Sequence, residues 1–129
     1  GMTPGTHGST FGGNPLAMAV GNGVLDIILK KGFLDNVKNI SEYFHKELTK
    51  LKKKFPKIIL EIRGRGLIKG LKLSVDNAIF IETLIKHKML VVKAEEQVIR
   101  LFPALIVSKK EIDESIVKLE KACSELNDI

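Results

Sequence analysis

Two stretches of the chain repeat apolar residues at helical spacing. The first ends before Pro56 and contains Val37, Ile40, Phe44, Leu48, Leu51 and Phe55. The second follows Ser108 and Glu111, which match a capping box, and contains Ile112, Ile116, Leu119, Cys123 and Leu126. A spacing of three to four residues places such side chains on one face of a helix. The pattern therefore predicts two amphipathic helices with Cys123 in the core.

An earlier helix is apolar on nearly every side. Asn14 is a favourable N-cap and Pro15 suits the first helical position. We expect the helix to run to about Lys31, with Gly32 closing it. A helix without a polar face requires burial all round. This predicts that part of it faces another domain or a partner chain.

Between these helices the apolar positions alternate, as in strands. Ile58, Leu60 and Ile62 are expected on one face and Ile59, Glu61 and Arg63 on the other. Two further strands, 89–93 and 97–102, flank a polar turn at 94–96, and Asp76 or Ser74 can cap a short intervening helix. The order of elements predicts an α+β fold, a small mixed or antiparallel sheet with helices on one face.

Composition changes this picture little. The 129 residues suit one compact domain, and a net charge of +6 is more typical of a lysine-rich solvated surface than of a nucleic-acid or membrane site. A single cysteine excludes an internal disulfide. No apolar run is long enough to span a bilayer and the N-terminus lacks the order of a signal peptide. We expect a cytoplasmic protein.

Two features indicate anion binding. In "HGSTFGGNPLA", Ser9 and Thr10 can donate hydrogen bonds to phosphate, next to a helix N-terminus. The alternative is an ordinary loop with an N-cap. Arg100 is expected on a strand, on the same face as Val98 and Phe102. Its planar guanidinium group can bind a carboxylate with two parallel hydrogen bonds. The alternative is an arginine whose head reaches solvent at a sheet edge.

Other candidate motifs are weaker. "GRGLIKG" leads into a strand and spaces its third glycine one position late, so a tight turn is favoured over a dinucleotide site. Arg63 and Arg65 beside it can bind an anion or pair with carboxylates, and pairing is favoured. His7, His45 and His87 lack metal-ligand spacing, so we expect no metal site. No catalytic triad can be assembled.

Three segments together resemble one family. "PGTHGSTFGGNPLAMAV", "IRGRGLIKGLKL" and "VIRLFPALIVSKKEIDESI" are similar, in this order, to the C-terminal region of class III pyridoxal-phosphate (PLP) aminotransferases. The opening is most like the acetylornithine enzymes. The resemblance implies the small C-terminal domain of a fold-type I enzyme at 33–129, preceded at 1–32 by a phosphate-binding loop and a helix linking it to the large domain.

The resemblance also implies roles for residues. Ser9 and Thr10 match the pair that contacts the PLP phosphate of the neighbouring subunit in a homodimer. Arg100 matches the arginine that binds the substrate α-carboxylate. The Schiff-base lysine of the family lies upstream of the His-Gly-Ser-Thr motif, so no catalytic residue is expected in this chain. Ala104 replaces the second proline of the family's Pro-Pro-Leu segment.

The implied reaction transfers an amino group between N-acetylornithine and 2-oxoglutarate, in arginine biosynthesis, with small amino-acid and 2-oxo-acid substrates. Ornithine, succinyl-diaminopimelate and 4-aminobutyrate remain alternative amino donors. We expect the chain alone to be inactive and to self-associate through its first helix. A basic α+β nucleic-acid-binding module is the alternative of another class, drawn from the +6 charge and "KLKKKF".

Overall fold

The structure is a computed structural model that describes residue 1 and residues 3–127. Met2 of the opening motif and the last two residues lie outside this range. Contacts within the chain divide it into two compact units, residues 1–34 and 35–129. Along the chain the elements are α1 (Pro15–Ile28), α2 (Phe33–Lys54), β1 (Ile59–Arg63), β2 (Lys69–Leu73), α3 (Asn77–Lys86), β3 (Val92–Lys93), β4 (Val98–Leu101) and α4 (Lys109–Asn127).

Helix α1 begins as the sequence predicts and ends earlier. The Asn14 side-chain oxygen accepts a hydrogen bond of 2.9 Å from the Ala17 N–H, and Pro15 occupies the first turn. The prediction that the helix reaches Lys31 is wrong, because the last helical residue is Ile28. The backbone N–H groups of Lys30 and Phe33 bond to carbonyls three residues back, which tightens the chain into the link to α2. No residue of α1 is buried.

The four strands form one antiparallel sheet in the order β1-β2-β4-β3. Its inner face shares a hydrophobic core with the apolar stripes of α2, α3 and α4. The stripes of α2 and α4 lie as the sequence predicts, and Cys123 is fully buried among them. The predicted α+β arrangement, with helices on one face of a small sheet, is therefore confirmed.

The predicted facing of β1 is wrong in part. A bulge between Ile59 and Glu61 shifts the register, so that Ile59 pairs with Leu73 while Glu61 pairs with Lys72. Ile59 and Ile62 consequently belong to the core side, and Leu60 is 47% exposed. One extra residue in a strand reverses the facing of the side chains that precede it. The alternation of apolar residues in the sequence does not reveal such a bulge.

The turns and caps use short polar residues and glycine. Asp76 caps α3 by accepting hydrogen bonds from the N–H groups of Ala78 and Ile79. Gly64, between β1 and β2, has φ +101°, and a Cβ there would lie 2.3 Å from the Ile68 carbonyl oxygen. The strands predicted at 89–93 and 97–102 are shorter than expected, and the turn between them contains Glu96 and Gln97 at positive φ.

Candidate functional site

Strand β4 separates apolar and charged side chains onto opposite faces of the sheet. Ile99 and Leu101 belong to the core, and they pair with Leu71 and Lys69 of β2. Arg100 lies between them on the other face, paired with Gly70 on one side and Val92 on the other. Because successive residues of a strand alternate in facing, the buried neighbours fix the arginine outside the core.

A cleft of about 330 Å³ opens on this outer face. Its lining includes Arg63, Gly70, Glu95, Glu96, Val98 and Arg100. In the part of the chain that the structure describes, no carboxylate lies within ion-pair distance of Arg100. An unpaired, solvent-accessible guanidinium in a cleft is suited to bind a carboxylate with two parallel hydrogen bonds.

Arg63 occupies the same cleft but is paired. Its Nε donates to Glu61 at 2.8 Å and its Nη1 donates to Glu96 at 3.0 Å. These hydrogen bonds, first that to Glu61 and then that to Glu96, raise the pKa of Arg63. Arg63, and secondarily the nearby Lys72, lowers the pKa of Glu96. Of the two readings of Arg63 in the sequence, the structure shows pairing with carboxylates, whereas Arg65 is exposed in the turn.

Lys69 is a buried charge that the sequence reading did not single out. Its exposed fraction is 4%, and burial lowers its pKa. It lies two and four residues before the core positions Leu71 and Leu73, so the alternation along β2 assigns it to the inner face. That period-two spacing was the signal that could have identified it.

Ser9 and Thr10 lie in an exposed loop that leads into α1. Neither hydroxyl has a hydrogen-bond partner among the described residues, so both remain available as donors. A Cβ at Gly12 would lie 3.0 Å from the Ser9 Oγ, so the glycine keeps space beside that hydroxyl. Two available hydroxyls beside a glycine and a helix N-terminus form a donor set that fits a phosphate group.

The candidate residues belong to different units of the chain. Ser9 and Thr10 are in the first unit, and Arg100 is in the second. Among the described residues, no three histidine, cysteine, aspartate or glutamate side chains cluster closely enough to hold a metal ion. His87 instead lies 2.6 Å from a Glu125 carboxylate oxygen, and His45 is exposed on α2.

Comparison with known proteins identifies the family. The model of a family described as aminotransferase class-III matches residues 1–123. The chain belongs to the class-III aminotransferases. Its segment is 46% identical over 123 residues to acetylornithine aminotransferase 2 of Caulobacter vibrioides, covering 95% of this chain and 30% of that protein. It is 44% identical over 126 residues to the acetylornithine aminotransferase of Agrobacterium fabrum, covering 98% of this chain and 32% of that one.

The fold agrees with that of a solved aminotransferase. The ornithine aminotransferase of Toxoplasma gondii, in whose crystals PLP partially occupies the active site, superposes with a TM-score of 0.81 at 30% identity. The match covers 98% of this chain and 31% of that one. This class-III segment thus spans about a third of the length of the curated relatives it matches. The class uses PLP, as the sequence resemblance implied. Within the described range, no helix is long and apolar enough to traverse a bilayer.

Proposed function

We propose that this chain is the C-terminal part of an acetylornithine aminotransferase, transferring an amino group between N-acetylornithine and 2-oxoglutarate in arginine biosynthesis. The observation that carries the proposal is the unpaired guanidinium of Arg100 in the outer cleft. The names of two relatives that cover nearly the whole chain support the choice of substrate.

Each anion-binding residue has one role in this proposal. Arg100 binds the α-carboxylate of the amino donor and then that of the 2-oxo acid. This contact orients the carbon that exchanges the amino group, which is the δ-carbon of N-acetylornithine and the 2-oxo carbon of 2-oxoglutarate. Ser9 and Thr10 donate hydrogen bonds to the phosphate of PLP. The electron sink that stabilises charge at the carbon exchanging the amino group is supplied by PLP when it is bound. The lysine that attaches the cofactor is proposed to lie outside these 129 residues.

The proposed assembly is a cytoplasmic homodimer, in which Ser9 and Thr10 contact the PLP of the neighbouring subunit. Residues 1–32 are proposed to supply the phosphate-binding loop and linking helix, and residues 33–129 the small C-terminal domain. We expect the absorbance of bound PLP in the full-length enzyme and not in the 129-residue chain. If the 129-residue chain bound PLP covalently and catalysed transamination by itself, the proposal that the cofactor-binding lysine lies outside it would be refuted.

Substitution of Arg100 tests the carboxylate role in the full-length holoenzyme. Arg100→Lys keeps the charge but loses the planar fork, so we expect KM for both the amino donor and 2-oxoglutarate to rise about 100-fold. Arg65→Lys is the matched control, because Arg65 is exposed and does not line the cleft. Equal KM values for the two variants would show that Arg100 does not bind substrate.

Substitution of the hydroxyl pair tests the phosphate role. In the full-length protein, the double change Ser9→Ala and Thr10→Ala removes two donors, so the Kd for PLP should rise about 10-fold or more. Thr6→Ala is the control, because the Thr6 hydroxyl already donates to the Thr3 carbonyl within the loop. A PLP titration followed by absorbance measures both. Unchanged PLP affinity in the double variant would remove Ser9 and Thr10 from the site.

Ornithine is the second candidate donor, because the chain also superposes on an ornithine aminotransferase. A panel of N-acetylornithine, ornithine, succinyl-diaminopimelate and 4-aminobutyrate at equal concentrations distinguishes the donors by kcat/KM. The proposal predicts the highest value for N-acetylornithine. A higher value for any other donor would retain the reaction class and replace the substrate.

A further inference from the structure

The outer cleft contains two arginines in one row across the sheet. Arg63 of β1 and Arg100 of β4 both pair with Gly70, which lies between them on β2. Neighbouring strands are about 4.8 Å apart, so the two Cα atoms lie about 10 Å apart on the same face. Gly70 has no side chain to separate them. Two guanidinium groups at this spacing are arranged to bind the two ends of a dicarboxylate.

Among the described residues, Arg63 has carboxylate partners and Arg100 has none. Glu61 and Glu96 both accept hydrogen bonds from Arg63, so two negative charges surround one positive charge. Glu61 is a neighbour on the same strand, whereas Glu96 extends from the β3–β4 turn, 33 residues away. Glu96 is held there by an unusual backbone, since it and Gln97 both have positive φ. The turn thus directs a carboxylate onto Arg63 from within the cleft.

We propose that Glu96 is a specificity-determining residue, which occupies Arg63 so that the cleft accepts one substrate carboxylate, at Arg100, and not a second. The inference rests on the proposed role of Arg100. A 2-oxo dicarboxylate can then bind this face by only one end, and its other carboxylate must be bound elsewhere. The arrangement prevents a dicarboxylate from bridging the two arginines in an unproductive orientation.

The chain contains a matched control for Glu96. Glu95 is the adjacent acid in the same turn and lines the same cleft, but it forms no ion pair in the described structure. Glu96→Gln and Glu95→Gln therefore remove the same charge from nearly the same place. Only the first takes a carboxylate away from the Nη1 of Arg63, whose Nε remains bonded to Glu61. The Arg63–Glu96 pair is solvent-exposed, so neither change should shift the unfolding midpoint of the chain by more than about 5 °C.

The experiment measures binding of two 2-oxo acids of equal length to the 129-residue chain. The probes are 2-oxoglutarate, with two carboxylates, and 2-oxopentanoate, with one. Backbone amide NMR shifts of Gly70 and Arg100 report binding, and sodium chloride keeps the ionic strength constant. For Glu96→Gln we expect about a 10-fold tighter Kd for 2-oxoglutarate and less than about a 2-fold change for 2-oxopentanoate. Glu95→Gln should change both Kd values alike.

A second variant ties the gain to Arg63. Adding Arg63→Met to Glu96→Gln should return the Kd of 2-oxoglutarate to the wild-type range. The inference is overturned if the two glutamine variants behave alike, if the gain survives the loss of Arg63, or if Glu96→Gln shows no saturable binding of 2-oxoglutarate. The proposed function fails separately, when Arg100→Lys leaves KM unchanged in the full-length enzyme.

Discussion

Cys123 lies on the buried face of α4, where its surroundings favour the protonated form of the thiol. Burial, and then the nearby Glu120 carboxylate, raises the pKa of Cys123 to about 12 from its ordinary value of 9.0. The thiolate, the reactive form, is therefore disfavoured in the folded chain. The sequence placed this residue in the core by its spacing alone, and the structure confirms it.

This raised pKa makes stability depend on alkaline pH. The neutral thiol is favoured by folding, so its contribution is complete below pH 9 and is lost as the pH rises towards 12. Over that window the free energy of unfolding should fall by about 1.4 kcal/mol per pH unit relative to Cys123→Ala. Urea unfolding of both proteins at several pH values measures the difference. Parallel pH curves for the two would contradict the prediction.

The Arg63–Glu96 pair shows where single residues escape sequence reasoning. The sequence indicates that Arg63 either binds an anion or pairs with a carboxylate, but it does not identify Glu96 as the partner. Three features bring Glu96 to Arg63. A bulge changes the register of β1, strand β4 pairs with β2, and the β3–β4 turn contains residues with positive φ. Each of these depends on tertiary packing, which no local spacing encodes.

At the scale of whole elements, helix ends follow local chemistry closely. Ser108 and Glu111 form the capping box that their spacing predicts, with the Glu111 carboxylate accepting from the Ser108 N–H at 2.8 Å. Of the two caps considered for α3, Asp76 is the one used, while the Ser74 hydroxyl donates to the Lys57 carbonyl. The strands were less predictable, because their ends and facing depend on pairing partners far away in sequence.

The cap of α3 gives a prediction at this scale. Asp76→Ala leaves the N–H groups of Ala78 and Ile79 without their acceptor, so the chain should lose about 1 kcal/mol of stability. Asp76→Asn keeps a side-chain oxygen as acceptor, so its expected loss of stability is only a few tenths of a kcal/mol. Chemical denaturation at neutral pH compares the three proteins. If the alanine and asparagine variants were equally stable, the cap would not contribute.

At the scale of the whole molecule, the two units differ in how much of their apolar surface is buried. The second unit buries its stripes in one core, whereas α1 leaves its apolar side chains exposed, Leu16 at 74% and Val20 at 57%. The sequence indicated this contrast, because α1 lacks a polar face and α2 and α4 have one. What would cover α1 in a larger assembly could not be inferred from periodicity.

Self-association of the 129-residue chain should follow from this surface. Large exposed apolar patches promote association, so sedimentation equilibrium should show a weight-average mass that rises with concentration. Leu16→Lys with Val20→Lys, one helical turn apart, should weaken association about 10-fold or more. Ile106→Lys is the control, since Ile106 is equally exposed but lies in the second unit. A wild-type chain that stayed monomeric at high concentration would refute the prediction.

The one-sided sheet also constrains how this chain can change without losing its chemistry. Arg100 faces the cleft only because Ile99 and Leu101 are anchored in the core on either side. Slipping β4 by a single residue would drive the guanidinium into the interior and turn both apolar side chains out to water. Insertions and deletions in the short segment joining β3 to β4 would therefore remove the guanidinium from the cleft, and would disturb the proposed carboxylate contact as much as replacing the arginine itself. Length variation in related chains should be found elsewhere.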